Sequence, residues 1–137
     1  MGIEKLAREP KDRSSTILVV DDEILVRIAI TEFLRDCGYS VIEAANAAQA
    51  IKVLSSDVQV DILFTDVEMP GEMNGFGLAR WTREHRPAIH ILLTSGNPAK
   101  ALEARDLCLE EHFVGKPAPL DYLRHRIARV LTGRPGE

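Results

Sequence analysis

Cysteine, excess basic charge and long apolar runs are all scarce in this chain, and each scarcity removes a class of function. The two cysteines, Cys37 and Cys108, stand far apart with no CxxC pair and no Cys/His cluster beside them. Neither a disulfide scaffold nor a zinc site is expected, and the thiols read as reduced and packed. His85, His90, His112 and His125 show no ligand spacing and read as surface or element-end residues. Acidic residues outnumber basic ones, for a formal net charge of -4. That gives no electrostatic basis for nonspecific binding to nucleic acid or to an anionic membrane. No apolar run nears the roughly 20 residues that a bilayer-spanning helix needs. The first residues mix Lys5, Arg8, Lys11 and Arg13 with Glu4, Glu9 and Asp12 and have no apolar centre, so they do not read as a secretory signal. Leu6 stands where a myristoylation motif wants Ser or Thr. A cytoplasmic location is expected.

What the chain does have is an alternation of strand and helix patterns. Its 137 residues fit one core, and 45% apolar with 28% charged residues is an ordinary globular composition. Residues 1–15 read as a flexible lead-in, 16–133 as one domain and 134–137 as a tail. Thr16–Val20 is a short β-branched run suited to a buried parallel strand. Asp22 is expected to cap the helix that follows, which carries Val26, Ile30, Phe33, Leu34 and Cys37 at helical spacing and stops at Gly38. Ser40–Ala44 is a second strand, and Asn46 caps a helix through about Leu54. Asp61–Thr65 is a third strand. The Pro- and Gly-containing loop from Glu68 to Gly75 leads to a third helix, capped by Asn74 and ending near Arg86-Pro87. Ile89–Leu93 is a fourth strand. Asn97-Pro98 opens a fourth helix with a thin apolar face. Phe113–Val114 is a fifth strand, and Pro119 opens a last helix with Leu120, Leu123, Ile127, Val130 and Leu131 on one face. Five βα units imply a parallel sheet covered by helices on both faces.

The strand ends carry the chemistry. One run ends in Asp21-Asp22, one in Asp66, one in Thr94-Ser95 and one in Lys116-Pro117. In an open parallel sheet these ends converge on the crevice where ligands bind. Carboxylates so grouped repel one another unless a proton or a cation joins them. A hard divalent ion, Mg²⁺, suits such an oxygen site with few protein ligands. Lys116 would add positive charge and Thr94 a hydroxyl donor, which is the equipment of in-line phosphoryl transfer. A doubly wound sheet in the order 2-1-3-4-5 would put the third strand at the centre of the group, making Asp66 the acceptor.

Four motifs in order, Val19-Val20-Asp21-Asp22-Glu23, Asp66-Val67-Glu68-Met69-Pro70 with Gly75, Thr94-Ser95-Gly96 and Phe113-Val114-Gly115-Lys116-Pro117, resemble those of the response-regulator receiver domains of bacterial two-component signalling. The likeness covers roughly residues 15–132. It implies a flavodoxin-like (βα)5 fold with a five-stranded parallel sheet. It implies that Asp66 is phosphorylated by a histidine kinase or histidine phosphotransfer protein. Asp22, Asp66 and the backbone carbonyl of Glu68 would ligate Mg²⁺, with Asp21 acting through a water. Lys116 would pair with the phosphoryl group, while Thr94 and Phe113 would form the switch. The output would be contact with a protein target, by a monomer or a phosphorylation-dependent dimer, without nucleic acid, membrane or enzymatic turnover. Against the commoner family pattern, the loop from Asp66 to Gly75 is one residue longer, Glu68 adds a carboxylate, and Ser95 adds a second hydroxyl beside Thr94.

Other readings meet obstacles in the residues. An aspartyl-phosphate phosphatase of the haloacid-dehalogenase kind wants an aspartate two positions after the nucleophile, where Glu68 stands. A flavodoxin-like FMN site would find its phosphate repelled by Asp21-Asp22-Glu23. A pseudo-receiver that binds without phosphorylation would not need an intact acidic group. A phosphate sink or relay shuttle remains a variant of the leading reading. Trp81 reads as a packing residue, and Arg124, Arg126, Arg129 and Arg134 read as a solvated or protein-contacting face.

Overall fold

The computed structural model describes residues 15–96, 99, 100, 103, 113–115 and 119–132, with positions 113 and 115 described by backbone alone. Five strands form one parallel sheet: β1 (Thr16–Val20), β2 (Ser40–Ala44), β3 (Ile62–Asp66), β4 (His90–Ser95) and β5 (Phe113–Gly115). Their order is β2-β1-β3-β4-β5, as the sequence predicts. Helices α1 (Ile24–Asp36), α2 (Ala47–Leu54), α3 (Gly75–His85) and α4 (Leu120–Thr132) connect and cover them. Of the helix expected after Asn97, Ala99, Lys100 and Glu103 are helical, and the rest lies outside the described residues.

Side chains alternate across each strand and so feed two cores. Leu18, Val20, Leu63, Ile91 and Leu93 pack on one face with Ala50 and Leu54 of α2 and Phe76 and Leu78 of α3. Trp81 packs against this cluster, as expected of it. Ile17, Val19, Ile62, Phe64, Leu92 and Val114 pack on the other face with Leu34 of α1 and Leu123 and Ile127 of α4. The strand starts are tied together: Asp61 accepts the Thr16 N–H through Oδ2 at 2.8 Å, and its own N–H donates to the Thr16 carbonyl at 2.8 Å.

Two caps form as the sequence predicts. Asn46 Oδ1 accepts from the Gln49 N–H at 2.9 Å, and Asn74 Oδ1 from the Gly77 N–H at 3.0 Å. Asp22 does not cap α1, against expectation. The helix starts one residue later, after Glu23, whose side chain makes no capping bond. The Glu23 N–H instead donates to Asp21 Oδ1 at 2.9 Å. Cys37 is exposed, not packed. Gly38, at φ +103°, takes the left-handed turn, and the N–H groups of Gly38 and Tyr39 return to the carbonyls of Arg35 and Leu34. That turn ends the helix before Cys37 can join the buried stripe. His85, His90 and His125 are exposed, and His85 stacks on Trp81 with centroids 4.1 Å apart.

Candidate functional site

The sheet sets the site by register. Val20 pairs with Thr65, so the residue after each, Asp21 and Asp66, stands at the same level on neighbouring strands. Asp66 pairs with Thr94, Thr94 with Val114 and Ser95 with Gly115. The crevice lies where the chain order reverses between β1 and β3. Asp21, Asp22 and Asp66 bring carboxylate oxygens within 4.8 Å of one another. Asp21 and Asp66 are buried, 2% and 5% exposed, whereas Asp22 faces solvent. Two buried carboxylates and one at the rim form an open-sided oxygen site, which fits a hard divalent cation that keeps several waters. Thr94 is buried at 3% exposure beside Asp66. Lys116 and the side chain of Phe113 lie outside the described residues.

The loop beyond β3 is tied back to β3 and β4. The Glu68 N–H donates to Asp66 Oδ1 at 3.2 Å. The Val67 N–H donates to the Thr94 carbonyl, and the Gly75 N–H to the Val67 carbonyl, each at 2.8 Å. Gly75 passes so close that a Cβ there would stand 2.3 Å from the Asp66 carbonyl oxygen and 2.6 Å from Val67 Cα. Gly71, in the same loop, takes φ +103°. The loop and α2 enclose a groove of about 560 Å³ lined by Ala47, Ile51, Pro70 and Met73 among others.

Sequence reasoning passed over three features of the rim. Arg27 donates through Nη1 to the Asp21 carbonyl at 2.7 Å and through Nε to Glu43 at 2.9 Å, clamping α1, β1 and β2 beneath the acidic group. A cation one turn beyond an acidic motif was the available signal. Ser95 Oγ donates to Glu68 Oε1 at 3.1 Å. No local signal marks that pair, since strand register alone brings it together. Ile24, Leu25 and Ile28 leave a large apolar surface exposed at the start of α1, Leu25 at 78%. Their signal is an apolar group lying off the buried stripe of the helix.

Known proteins resemble this chain in sequence and fold. The chain is 37% identical over 121 residues to the sensor kinase CckA of Brucella abortus, an alignment that takes in 86% of this chain but 13% of that protein. It thus spans a small part of the curated sensor kinases it matches. A response regulator receiver protein from Sinorhizobium medicae superposes with a TM-score of 0.81 at 28% identity, over 89% of this chain and 98% of that one. The response regulator TrrA of Thermotoga maritima, solved in complex with Mg²⁺ and BeF, superposes with a TM-score of 0.74 at 27% identity, over 85% of this chain and 98% of that one. Residues 17–128 match the response regulator receiver domain family as a whole. The chain therefore belongs to the response regulator receiver domains of two-component signalling.

Proposed function

We propose that this chain is a single-domain response regulator that accepts a phosphoryl group on Asp66 and signals through protein contacts. The observation that carries the reading is the cluster of Asp21, Asp22 and Asp66 within 4.8 Å, centred on the end of β3. The likeness to TrrA, a structure captured with Mg²⁺ and BeF, supports the cofactor. The working unit is taken as residues 16–133, flanked by 1–15 and 134–137, and its setting as the cytoplasm. Among the described residues no helix is long and apolar enough to cross a membrane.

Asp22, Asp66 and the Glu68 carbonyl would hold Mg²⁺ directly, and Asp21 through a water. When bound, the ion offsets the carboxylate charge and leaves positions for phosphoryl oxygens. The donor is a phosphohistidine of a kinase or phosphotransfer protein. An Asp66 carboxylate oxygen forms a bond to phosphorus as the phosphorus–nitrogen bond breaks, and that electron pair stays on the imidazole. The Glu68 N–H on Oδ1 orients the carboxylate for the attack. Lys116 pairs with the transferred group, and Thr94 donates its hydroxyl to a phosphoryl oxygen. Phe113 then turns inward, which alters the surface a target reads. Ile24, Leu25 and Ile28 at the rim give the donor an apolar footing. Return of the phosphoryl group to water is slow chemistry of the same site, so the protein acts as a switch rather than a turnover enzyme. The likeness to a sensor kinase supports a second use of the same chemistry, as a sink or shuttle in a relay.

Incubation with acetyl phosphate followed by intact-mass spectrometry tests the reading. A single phosphoryl adduct is expected that needs Mg²⁺ and is absent from Asp66→Asn. A folded wild type that gains no adduct from acetyl phosphate or from a phosphohistidine donor would point instead to a module that binds without phosphorylation.

A further inference from the structure

Glu68 brings to the acidic pocket a carboxylate that the proposed chemistry does not use. Its N–H is bonded to Asp66 Oδ1, so its side chain starts at the edge of the pocket with the length to turn inward. The oxygens that come within 4.8 Å of one another belong to Asp21, Asp22 and Asp66, and the Glu68 carboxylate is outside that group. It is engaged by Ser95, whose Oγ donates to Oε1 at 3.1 Å across 27 positions of sequence. The donor is fixed: Ser95 is 3% exposed and sits in β4, paired to Gly115. The acceptor is on a loop and exposed. A fourth carboxylate in the pocket would strengthen the hold on a cation. It would also fill a position a phosphoryl oxygen needs and repel the incoming dianion.

We propose that Ser95 is a positioning residue that draws the Glu68 carboxylate aside and so keeps a place open for the phosphoryl group. The inference rests on reading Asp66 as the phosphoacceptor.

The test is calorimetric titration of the full chain, first with Mg²⁺ alone and then with beryllofluoride at saturating Mg²⁺. The net worth of a typical intramolecular hydrogen bond sets the scale of the effect. Ser95→Ala is expected to bind Mg²⁺ about 2- to 10-fold more tightly and beryllofluoride about 2- to 10-fold more weakly. Opposite signs are the signature, because simple damage to β4 would weaken both. In the Glu68→Ala background, Ser95→Ala should change neither affinity. The inference is overturned if Ser95→Ala shifts both affinities the same way or neither, or if its effects persist without Glu68. The Mg²⁺-dependent adduct of the wild type separates the two readings. Without an adduct both fall; with one, and without opposite shifts, only the role of Ser95 falls.

Discussion

At Gly75 a missing side chain holds the site together. The first turn of α3 crosses the end of β3 so closely that any Cβ would meet the Asp66 carbonyl at 2.3 Å. The obstacle is backbone, which cannot rotate away as a side chain can. Gly75→Ala is therefore expected to destabilise the fold by about 1–3 kcal/mol, the usual cost of overpacking. It should also slow phosphorylation, because the strain falls on the acceptor residue itself. Urea unfolding beside the adduct assay checks both, and unchanged stability would mean that α3 can lift off the strand at no cost. The sequence marks Gly75 as part of a motif, but the close approach behind it depends on where two elements cross. The acidic residues and Thr94 were legible because each closes an apolar run. The Ser95 to Glu68 bond was not, because neither residue has a neighbour in sequence that signals it.

Among elements, the strands were the most legible, since short β-branched runs bounded by polar residues leave few alternatives. The start of α1 was not. Asp22 is the expected cap, but the sheet buries Asp21 against the Glu23 N–H, and the helix starts after Glu23 with no side-chain cap. The end of α1 was half legible: Gly38 signals the stop, but helical spacing runs on to Cys37 and wrongly includes it in the core. The turn at Gly38 brings Tyr39 against the second core, beside Arg124 of α4. Burial there raises the Tyr39 phenol above its ordinary value; charge on Cys37 adds to this and Arg124 opposes it. The native state thus holds the phenolic proton more tightly than the unfolded chain does. This contribution to stability is fully present below about pH 10 and is lost as pH rises through the native value. Wild type is expected to lose urea resistance above about pH 10, and Tyr39→Phe to lose less of it over the same interval. Parallel losses in the two proteins would assign the alkaline sensitivity elsewhere.

For the whole molecule, alternation along each strand divides the apolar residues between two faces, and this is why composition and period alone indicate a sheet covered on both sides. Strand order is less directly legible. It follows only once a doubly wound order is assumed, and the register then explains why the motifs meet. Gathering carboxylates at the carboxyl end of the sheet has a global consequence, since their repulsion opposes folding until a cation joins them. Mg²⁺ should raise the thermal midpoint, by an amount corresponding to about 2.7 kcal/mol at a hundred-fold excess over Kd. Asp66→Asn should start from a higher midpoint without the ion and gain less from it. Scanning calorimetry with and without Mg²⁺ checks this; equal gains in the two proteins would remove Asp66 from the cation site.

Asp66, alone among the three gathered carboxylates, is proposed to take the phosphoryl group. Reduction of the phosphorylated protein with borohydride converts an aspartyl phosphate to homoserine, and peptide mapping then reads its position. Homoserine at position 66, formed only after phosphorylation in the presence of Mg²⁺, is the predicted result. Homoserine at position 21 or 22 would contradict the account.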